Sequence, residues 1–150
     1  MSRQFTYGRQ ERLKSRKLIE QLFREGRSLA TPPFRLYWLL LPPAGPGGQA
    51  GGVSPASIPV PGRVQCGFGV SSRQFKKAVD RNRVKRVSRE AWRLQKKALT
   101  DTMAARPEQL ALFFIYTGRE LPDYNVVKEK LAVAIHKLTK ILDEKGPLHT

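Results

Sequence analysis

The pattern of hydrophobic and polar residues begins with a helical period and then changes to strand-like segments. A short helix is predicted to begin at about Ser15, and Gly26 is suited to the position just past its end. Residues 34–41, FRLYWLLL, are aromatic and leucine-rich and lie between two Pro-Pro pairs, which predicts a strand. The apolar face of the first helix consists of Leu18, Ile19, Leu22 and Phe23.

A second strand is predicted over residues 63–71, where the character of the side chains alternates. The opposite faces of a strand carry alternate residues, and a small, polar face would let an extended chain approach the sheet closely. The face that we expect to pack on a core carries Val64, Cys66, Phe68 and Val70. The small and polar face carries Gln65, Gly67, Gly69 and Ser71.

The apolar period then changes to 3.6 residues, which predicts a long helix from about Asp80 to Ala105. Asp80 is suited to the N-cap of this helix, and Pro107 follows soon after its end. We expect its core-facing stripe to consist of Val84, Val87, Ala91, Leu94 and Ala98.

A further strand and a last helix complete the pattern. Residues 110–118, LALFFIYTG, are mostly apolar and end at Gly118, as expected for a strand buried on both faces. The last helix is predicted to follow Asp123 and to end at Gly146-Pro147. Its core stripe consists of Val127, Leu131, Ala134, Leu138 and Ile141.

The order of elements is helix, two or three strands, helix, strand and helix. It predicts an α+β sandwich with a small sheet, or alternatively an α/β sandwich, formed by one domain over residues 1–150. Residues 1–12 are expected to be a mobile N-terminal segment. Residues 42–62 are rich in Gly and Pro, which predicts a long surface loop rather than a domain linker.

The charge of the chain narrows the class of its partner. The sequence has 28 Lys and Arg against 12 Asp and Glu, which gives a formal net charge of +16. Such an excess repels itself, so we expect a polyanionic partner: nucleic acid or, less commonly, an anionic membrane surface. The N-terminus lacks the apolar core of a signal peptide, and the most apolar run is far shorter than the roughly 20 residues that span a bilayer. We therefore expect a cytoplasmic protein without a membrane partner.

The positive charge is concentrated at the start of the central helix, in residues 76–90, KKAVDRNRVKRVSRE. Cations in a first turn oppose the helix dipole at a cost of about 0.3–1 kcal/mol each. Like charges three or four residues apart cost a few tenths more. Bound phosphates would reverse these penalties, so we predict a phosphate-binding face, with a solvated basic face as the alternative. Its stripe consists of Asn82, Lys85, Arg86, Arg89, Arg93, Lys96 and Lys97, with Arg81 and Arg83 at its entrance.

The ordered string from Ala78 to Glu90, AVDRNRVKRVSRE, resembles the RNR signature of the bacterial ribonuclease P protein subunit. The strand sequence GFGVS, residues 67–71, lies where that family has a strand leading towards the signature. The resemblance covers about residues 9–142, interrupted by residues 42–62. The opening of the family is similar to Arg12-Leu13-Lys14 followed by Ile19, Phe23, Arg24, Gly26 and Ser28.

The resemblance implies an α-β-β-β-α-β-α fold with a left-handed crossover at the central helix. It also implies a subunit that binds the catalytic RNA of ribonuclease P and helps it cut the 5′ leader from precursor tRNA. For RNA-subunit binding it assigns Arg81, Arg83, Lys85, Arg86 and Arg89 as phosphate contacts and Asn82 as the residue that positions the turn. For the single-stranded leader it assigns Phe23, Arg35, Tyr37 and Arg73.

The general physics of unpaired RNA agrees with this assignment, since such RNA is held by bases stacked on aromatic rings beside a basic groove. Phe23 and Tyr37 are, however, equally suited to core packing. The chain departs from the family at Ser72, where a Lys is frequent, and at Ile19, where the first of two helix aromatics is expected. The insertion of residues 42–62 is also not typical of the family.

The sequence predicts no catalytic residue. Neither His136 nor His149 has a neighbour that makes a dyad, and Cys66, the one cysteine, alternates with Val64 and Phe68 like a small buried hydrophobe. Hydrolysis is therefore expected from the RNA subunit, with Mg²⁺ bound mainly by that RNA. The expected partners are the RNA subunit and precursor tRNA, with no protein partner required. The alternatives are a ribosomal or general RNA-binding protein and an autonomous nuclease.

Overall fold

The computed structural model describes residues 12–13, 15–41 and 62–145. Predictions that fall on residues 1–11, on Lys14, on 42–61, on Gly146-Pro147 and on His149 lie outside these ranges. Along the described chain the elements are α1 (Arg16–Glu25), β1 (Arg27–Thr31), β2 (Phe34–Leu41), β3 (Val64–Val70), α2 (Ala78–Gln95), α3 (Lys97–Ala104), β4 (Gln109–Tyr116) and α4 (Tyr124–Lys145).

The four strands form one mixed sheet in the order β1-β2-β4-β3. β2 pairs antiparallel with β1 and with β4, and β3 pairs parallel with β4. The prediction of an α+β fold with three strands before the central helix is therefore confirmed. The connection from β3 to β4 crosses over through α2 and α3, and its left-handed sense stays a prediction.

The two faces of the sheet pack against different helices. One face forms the main core with α2, α3 and α4, around Leu36, Phe114 and Trp92. The other face packs on α1 through a smaller cluster that includes Leu18, Leu22 and Ala111. The alternation of β2 between these faces places Tyr37 and Leu39 on the side of α1.

Gly26 joins α1 to β1 through a close contact of backbones. Its N–H donates to the carbonyl oxygen of Leu22 over 2.8 Å, and its backbone is extended rather than left-handed. A Cβ at this position would overlap the carbonyl oxygens of Leu22 and Trp38. Gly26 was predicted as a helix-end residue, and the physical reason for glycine is the close approach of α1 to β2.

The central helix differs from its prediction in both bounds. It begins at Ala78 after the N-cap residue Lys77, so Asp80 lies in the first turn and is not the cap. The predicted single helix to Ala105 is divided at Lys96, which is buried, and α3 follows. Leu99 and Met103 of α3 are fully buried in the main core, so the second segment has its own apolar anchor.

The buried stripe of α2 is also rotated from its predicted position. Leu94 and Ala98 are exposed, whereas Ser88 and Trp92 are buried. Ser88 fits the core because its hydroxyl donates to the carbonyl oxygen of Val84 over 2.8 Å, which satisfies its polar group within the helix. The predicted core stripe left out both Ser88 and Trp92.

The predictions for the last two elements agree better with the structure. α4 follows Asp123 as predicted, and its buried residues include Val127, Leu131, Ala134 and Leu138. β4 was predicted to be buried on both faces, but Phe113 and Ile115 are only partly buried, because α1 covers one part of that face. No helix of the described ranges is long and apolar enough to cross a membrane.

Candidate nucleic-acid interface

Residues 82–89 of α2 present a group of polar and basic side chains, which we call the basic surface. Among the residues that the structure describes, none of its cations forms an ion pair with a carboxylate, so their charge is available to a polyanion. Lys85 is half-buried and the others are exposed. The basic surface consists of Asn82, Arg83, Lys85, Arg86 and Arg89.

The predicted basic stripe does not continue along α2 beyond Arg89. Arg93 is paired with Glu90 at 2.7 Å, and Lys97 is paired with Asp101 at 2.7 Å. The hydrogen bond from Arg93 lowers the pKa of Glu90 below its ordinary value, and the same bond raises the pKa of Arg93. Lys96 is buried. These three cations were predicted to lie on the phosphate-binding stripe, and the structure pairs two of them with carboxylates and buries the third.

Arg81 contacts the protein's own backbone. Its Nη1 donates to the carbonyl oxygens of Phe75, over 2.8 Å, and of Lys76, over 2.9 Å. Phe75 is buried, and its ring stacks on Tyr116 with centroids 6.1 Å apart. Arg81 therefore ties the segment between β3 and α2 to the first turn of the basic helix.

Three aromatic rings lie together where α1 packs on the sheet, a place that we call the cleft, and we call the rings the aromatic cluster: Phe23, Tyr37 and Phe113. The ring centroid of Phe23 lies 4.9 Å from that of Tyr37 and 5.4 Å from that of Phe113, both in edge-to-face geometry. Phe23 is 42% exposed, and Tyr37 is half-buried. The structure brings the two predicted aromatics together.

The two predicted cations of the leader group lie at one end of the sheet. Arg35 is exposed and pairs in register with Ile115, two residues along β2 from Tyr37, so it shares the face of the cleft. Arg73 is exposed in the turn after β3, and its backbone N–H donates to the hydroxyl of Ser71 over 3.1 Å. Val70 at the end of β3 lies opposite Tyr116, the neighbour of Ile115, which places both cations at the same end.

Phe113, the third ring of the aromatic cluster, was not among the residues predicted from the sequence. Its neighbour Phe114 is buried in the main core, and alternation in β4 directs the two rings to opposite faces. The small residues on one face of β3 were an indication that a large side chain lies beside them, since Gly67 pairs in register with Phe113. A continuous apolar run, however, does not tell which of its two phenylalanines faces the core.

A depression of about 260 Å³ connects the cleft with the basic surface. Leu13 lies at the edge of this depression. A hydrogen bond of 3.0 Å from its N–H to the carbonyl oxygen of Cys66 holds its main chain beside β3. Its lining residues are Arg12, Leu13, Ile19, Gly67, Phe68, Arg89 and Phe113. Arg89 thus belongs both to the basic surface and to the wall of this depression.

The remaining candidate residues have ordinary surroundings. Cys66 is fully buried, as the alternation of β3 predicts, and His136 is exposed on α4. Within the described residues, no group of three or more His, Cys, Asp or Glu is placed to hold a metal ion.

Comparisons with known proteins agree with this architecture. The chain matches the family model described as Ribonuclease P over residues 7–139. It is 31% identical over 134 residues to the ribonuclease P protein component of Porphyromonas gingivalis, which covers 89% of this chain and 87% of the relative. The solved RNase P protein of Thermotoga maritima is 23% identical with a TM-score of 0.55, covering 85% of this chain and 96% of that one. An RNase P protein of Staphylococcus aureus gives a TM-score of 0.55 at 18% identity, over 88% of this chain and 97% of that one.

Proposed function

The chain belongs to the ribonuclease P protein family, and from this premise we propose how its two surfaces divide the work of a ribonuclease P subunit. As a protein component of that ribonucleoprotein endoribonuclease, it takes part in the 5′ maturation of tRNA. In our proposal the basic surface of α2 binds the RNA subunit, and the cleft beside α1 holds the 5′ leader of precursor tRNA.

The proposed contact with the RNA subunit rests on unpaired charge. Arg83, Arg86 and Arg89 are exposed, and no described carboxylate neutralises them. They are spaced three residues apart along α2 and repel each other in the free protein, and bound phosphate groups would remove that repulsion. Asn82 and Lys85 lie on the same surface and would contribute a hydrogen bond and a further charge. Arg81 supports this surface by holding the segment before α2 in place.

The proposed leader site rests on the aromatic cluster. Unpaired bases bind to proteins by stacking on aromatic rings, and this mode tolerates many sequences. Phe23 is exposed enough to stack with a base, and the ring centroid of Tyr37 lies 4.9 Å from that of Phe23. Arg35 and Arg73, at one end of the sheet, would attract the leader phosphates. A subunit that serves many precursor tRNAs needs this kind of binding, which reads little sequence.

We assign the chemical step to the RNA subunit. Mg²⁺ bound by that RNA would activate the attacking water and stabilise the leaving oxygen. The side chains of this chain would bind and orient the leader and would neutralise phosphates near the junction of the leader and the tRNA. The proposed assembly needs no further protein partner and no membrane, and we place it in the cytoplasm.

The observation that carries this proposal is the pairing of a cationic helix with an exposed aromatic cluster in a chain of this family. The test is the affinity of the reconstituted complex with its RNA subunit for precursor tRNA and for mature tRNA. A preference for the precursor that falls in the Phe23→Ala and Tyr37→Ala variants is expected. Equal affinity of the wild-type complex for both tRNAs would contradict the leader site.

A further inference from the structure

Two glycines of β3, Gly67 and Gly69, leave space for the ring of Phe113 because they have no side chain. A Cβ at Gly67 would lie 2.8 Å from Cδ1 of Phe113, and a Cβ at Gly69 would lie 2.8 Å from its Cε2. Glycine weakens a strand, because it loses more backbone entropy on folding and packs no side chain. The two glycines therefore leave the space beside the β3 backbone that the ring of Phe113 fills.

The seated ring is not sealed inside the core. Phe113 is half-buried and lines the depression of about 260 Å³. Phe23 stands against it edge to face, with ring planes at 88°. The neighbouring residue Phe114 packs in the main core, where it is 1% exposed. Phe113 therefore offers part of an oriented aromatic surface to the space beside it.

The depression combines an apolar floor with cationic walls. Ile19, Gly67 and Phe113 provide the apolar part, and Arg12 and Arg89 provide the charge. A planar aromatic group attached to a phosphate matches this arrangement, since the ring supplies a stacking face and a guanidinium grips phosphate oxygens. The depression is smaller than the about 300–1,000 Å³ of pockets that hold drug-sized ligands, so it fits one planar group.

We infer that Phe113 is a base-binding residue and that the depression it lines takes one unpaired nucleobase of the RNA leader, whose adjoining phosphate contacts Arg89. This inference rests on the proposed leader function of the cleft. It adds a site to that function, beside Phe23 and next to the basic helix. One leader nucleotide would then be held between the two surfaces that bind the substrate and the RNA subunit.

The test compares substitutions of two adjacent phenylalanines in the reconstituted complex with its RNA subunit. Phe113→Leu keeps an apolar side chain but removes the stacking face, and Phe113→Tyr keeps that face. We expect Phe113→Leu to weaken binding of precursor tRNA by roughly fivefold to a hundredfold, with Phe113→Tyr close to wild type. Phe114→Leu is the matched control: it is expected to lower thermal stability without changing the preference for precursor over mature tRNA.

A second measurement identifies the nucleotide. Precursor tRNAs with one abasic leader position at a time are bound to the wild-type and Phe113→Leu complexes. We expect one position at which the abasic change weakens wild-type binding but has no further effect on Phe113→Leu. Additive losses at every position, or an equal loss of preference in Phe114→Leu, would overturn the inference. The proposed function fails separately, if the wild-type complex does not prefer the precursor at all.

Discussion

Arg81 on the first turn of α2 donates a hydrogen bond of 2.8 Å to the main-chain carbonyl oxygen of Phe75, six residues earlier in the chain. The same Nη1 also reaches the carbonyl of Lys76. Since Phe75 is buried against Tyr116, this contact fixes the entrance of the basic helix to the core of the protein. The cations of the RNR string therefore do not share one role.

The contact predicts a particular phenotype for Arg81→Ala. Loss of a charged hydrogen-bond donor to two carbonyls should lower the free energy of unfolding by about 1–3 kcal/mol. The affinity for the RNA subunit should fall because the segment before α2 loses its hydrogen bonds to Arg81. The slope of log affinity against log salt should stay near wild type, since few phosphate contacts are removed. Denaturant unfolding and salt titrations measure both quantities, and a stable variant with a reduced slope would instead make Arg81 a direct phosphate ligand.

Arg83→Gln is expected to show the opposite combination. Arg83 is exposed and has no ion-pair partner among the described residues, so its removal should leave stability within about 0.5 kcal/mol of wild type. One lost phosphate contact should reduce the steepness of the salt dependence by about 0.7–0.9. Lys140→Gln, an exposed cation on α4, serves as the control with equal loss of charge. If both variants change the slope equally, the binding depends on net charge and not on the basic surface.

Phe23→Ala distinguishes a leader contact from a core residue. Because the side chain is 42% exposed, its loss should cost less than the about 3–5 kcal/mol of a fully buried phenylalanine. Binding of precursor tRNA should weaken by about 1–3 kcal/mol, whereas binding of mature tRNA should not change. The buried Phe34, on the other face of β2, provides a control, since Phe34→Leu should affect stability alone. A parallel loss for both tRNAs would assign Phe23 to the fold.

Much of the fold followed from periodicity, and the failures have identifiable physical causes. α4 was predicted with its stripe because its apolar residues recur regularly and few polar residues interrupt them. In α2 the hydroxyl of Ser88 is satisfied by its own helix, so a polar residue occupies a core position that no hydrophobicity pattern marks. The division at Lys96 was missed for a similar reason, since a lysine was assigned to the surface and is buried.

The candidate site was predictable where residue type alone carries the chemistry. The exposed cations Arg83, Arg86 and Arg89 lie where the sequence placed them, because a charged helix face needs solvent or a partner. Ion pairs such as Glu90 with Arg93 depend on rotamers, so the sequence alone did not show which cations of the stripe are already paired. Phe113 was missed because its role depends on the register of β4 with the glycines of β3, which links residues more than forty positions apart.

The fit between Phe113 and its glycines predicts a coupling between positions 69 and 113. Gly69→Ala should place a methyl group 2.8 Å from Cε2 and 3.0 Å from Cζ of the ring, and crowding of this kind costs about 1–3 kcal/mol of stability. The displaced ring should also bind the leader less well. In the double variant with Phe113→Ala the methyl group has space. The stability loss of the double variant should therefore be smaller than the sum of the losses of the two single variants. Simple additivity in thermal unfolding would show that the ring does not rest on Gly69.

The ion pair at the end of the basic surface predicts that one acidic residue restrains RNA binding. Glu90→Gln removes a negative charge and releases Arg93, which lies 2.7 Å from it in the wild type. Affinity for the RNA subunit should therefore rise a few-fold at low salt, with a slope steeper by up to about 0.9. At high salt the gain should disappear, because exposed charges are screened within about 3 Å at 1 M ionic strength.

The pH dependence of the Glu90 pair gives an independent check of the same contact. Arg93 holds the pKa of the Glu90 carboxyl below its ordinary value of about 4.3, so the folded state favours the carboxylate. The stabilisation by the pair is thus present above that ordinary value and is lost as the pH falls through the lowered pKa of the folded protein. NMR titration of the Glu90 side chain should give a higher pKa in Arg93→Gln than in the wild type. An unchanged pKa, together with unchanged RNA affinity in Glu90→Gln, would mean that the pair does not persist in solution and that Arg93 already belongs to the basic surface.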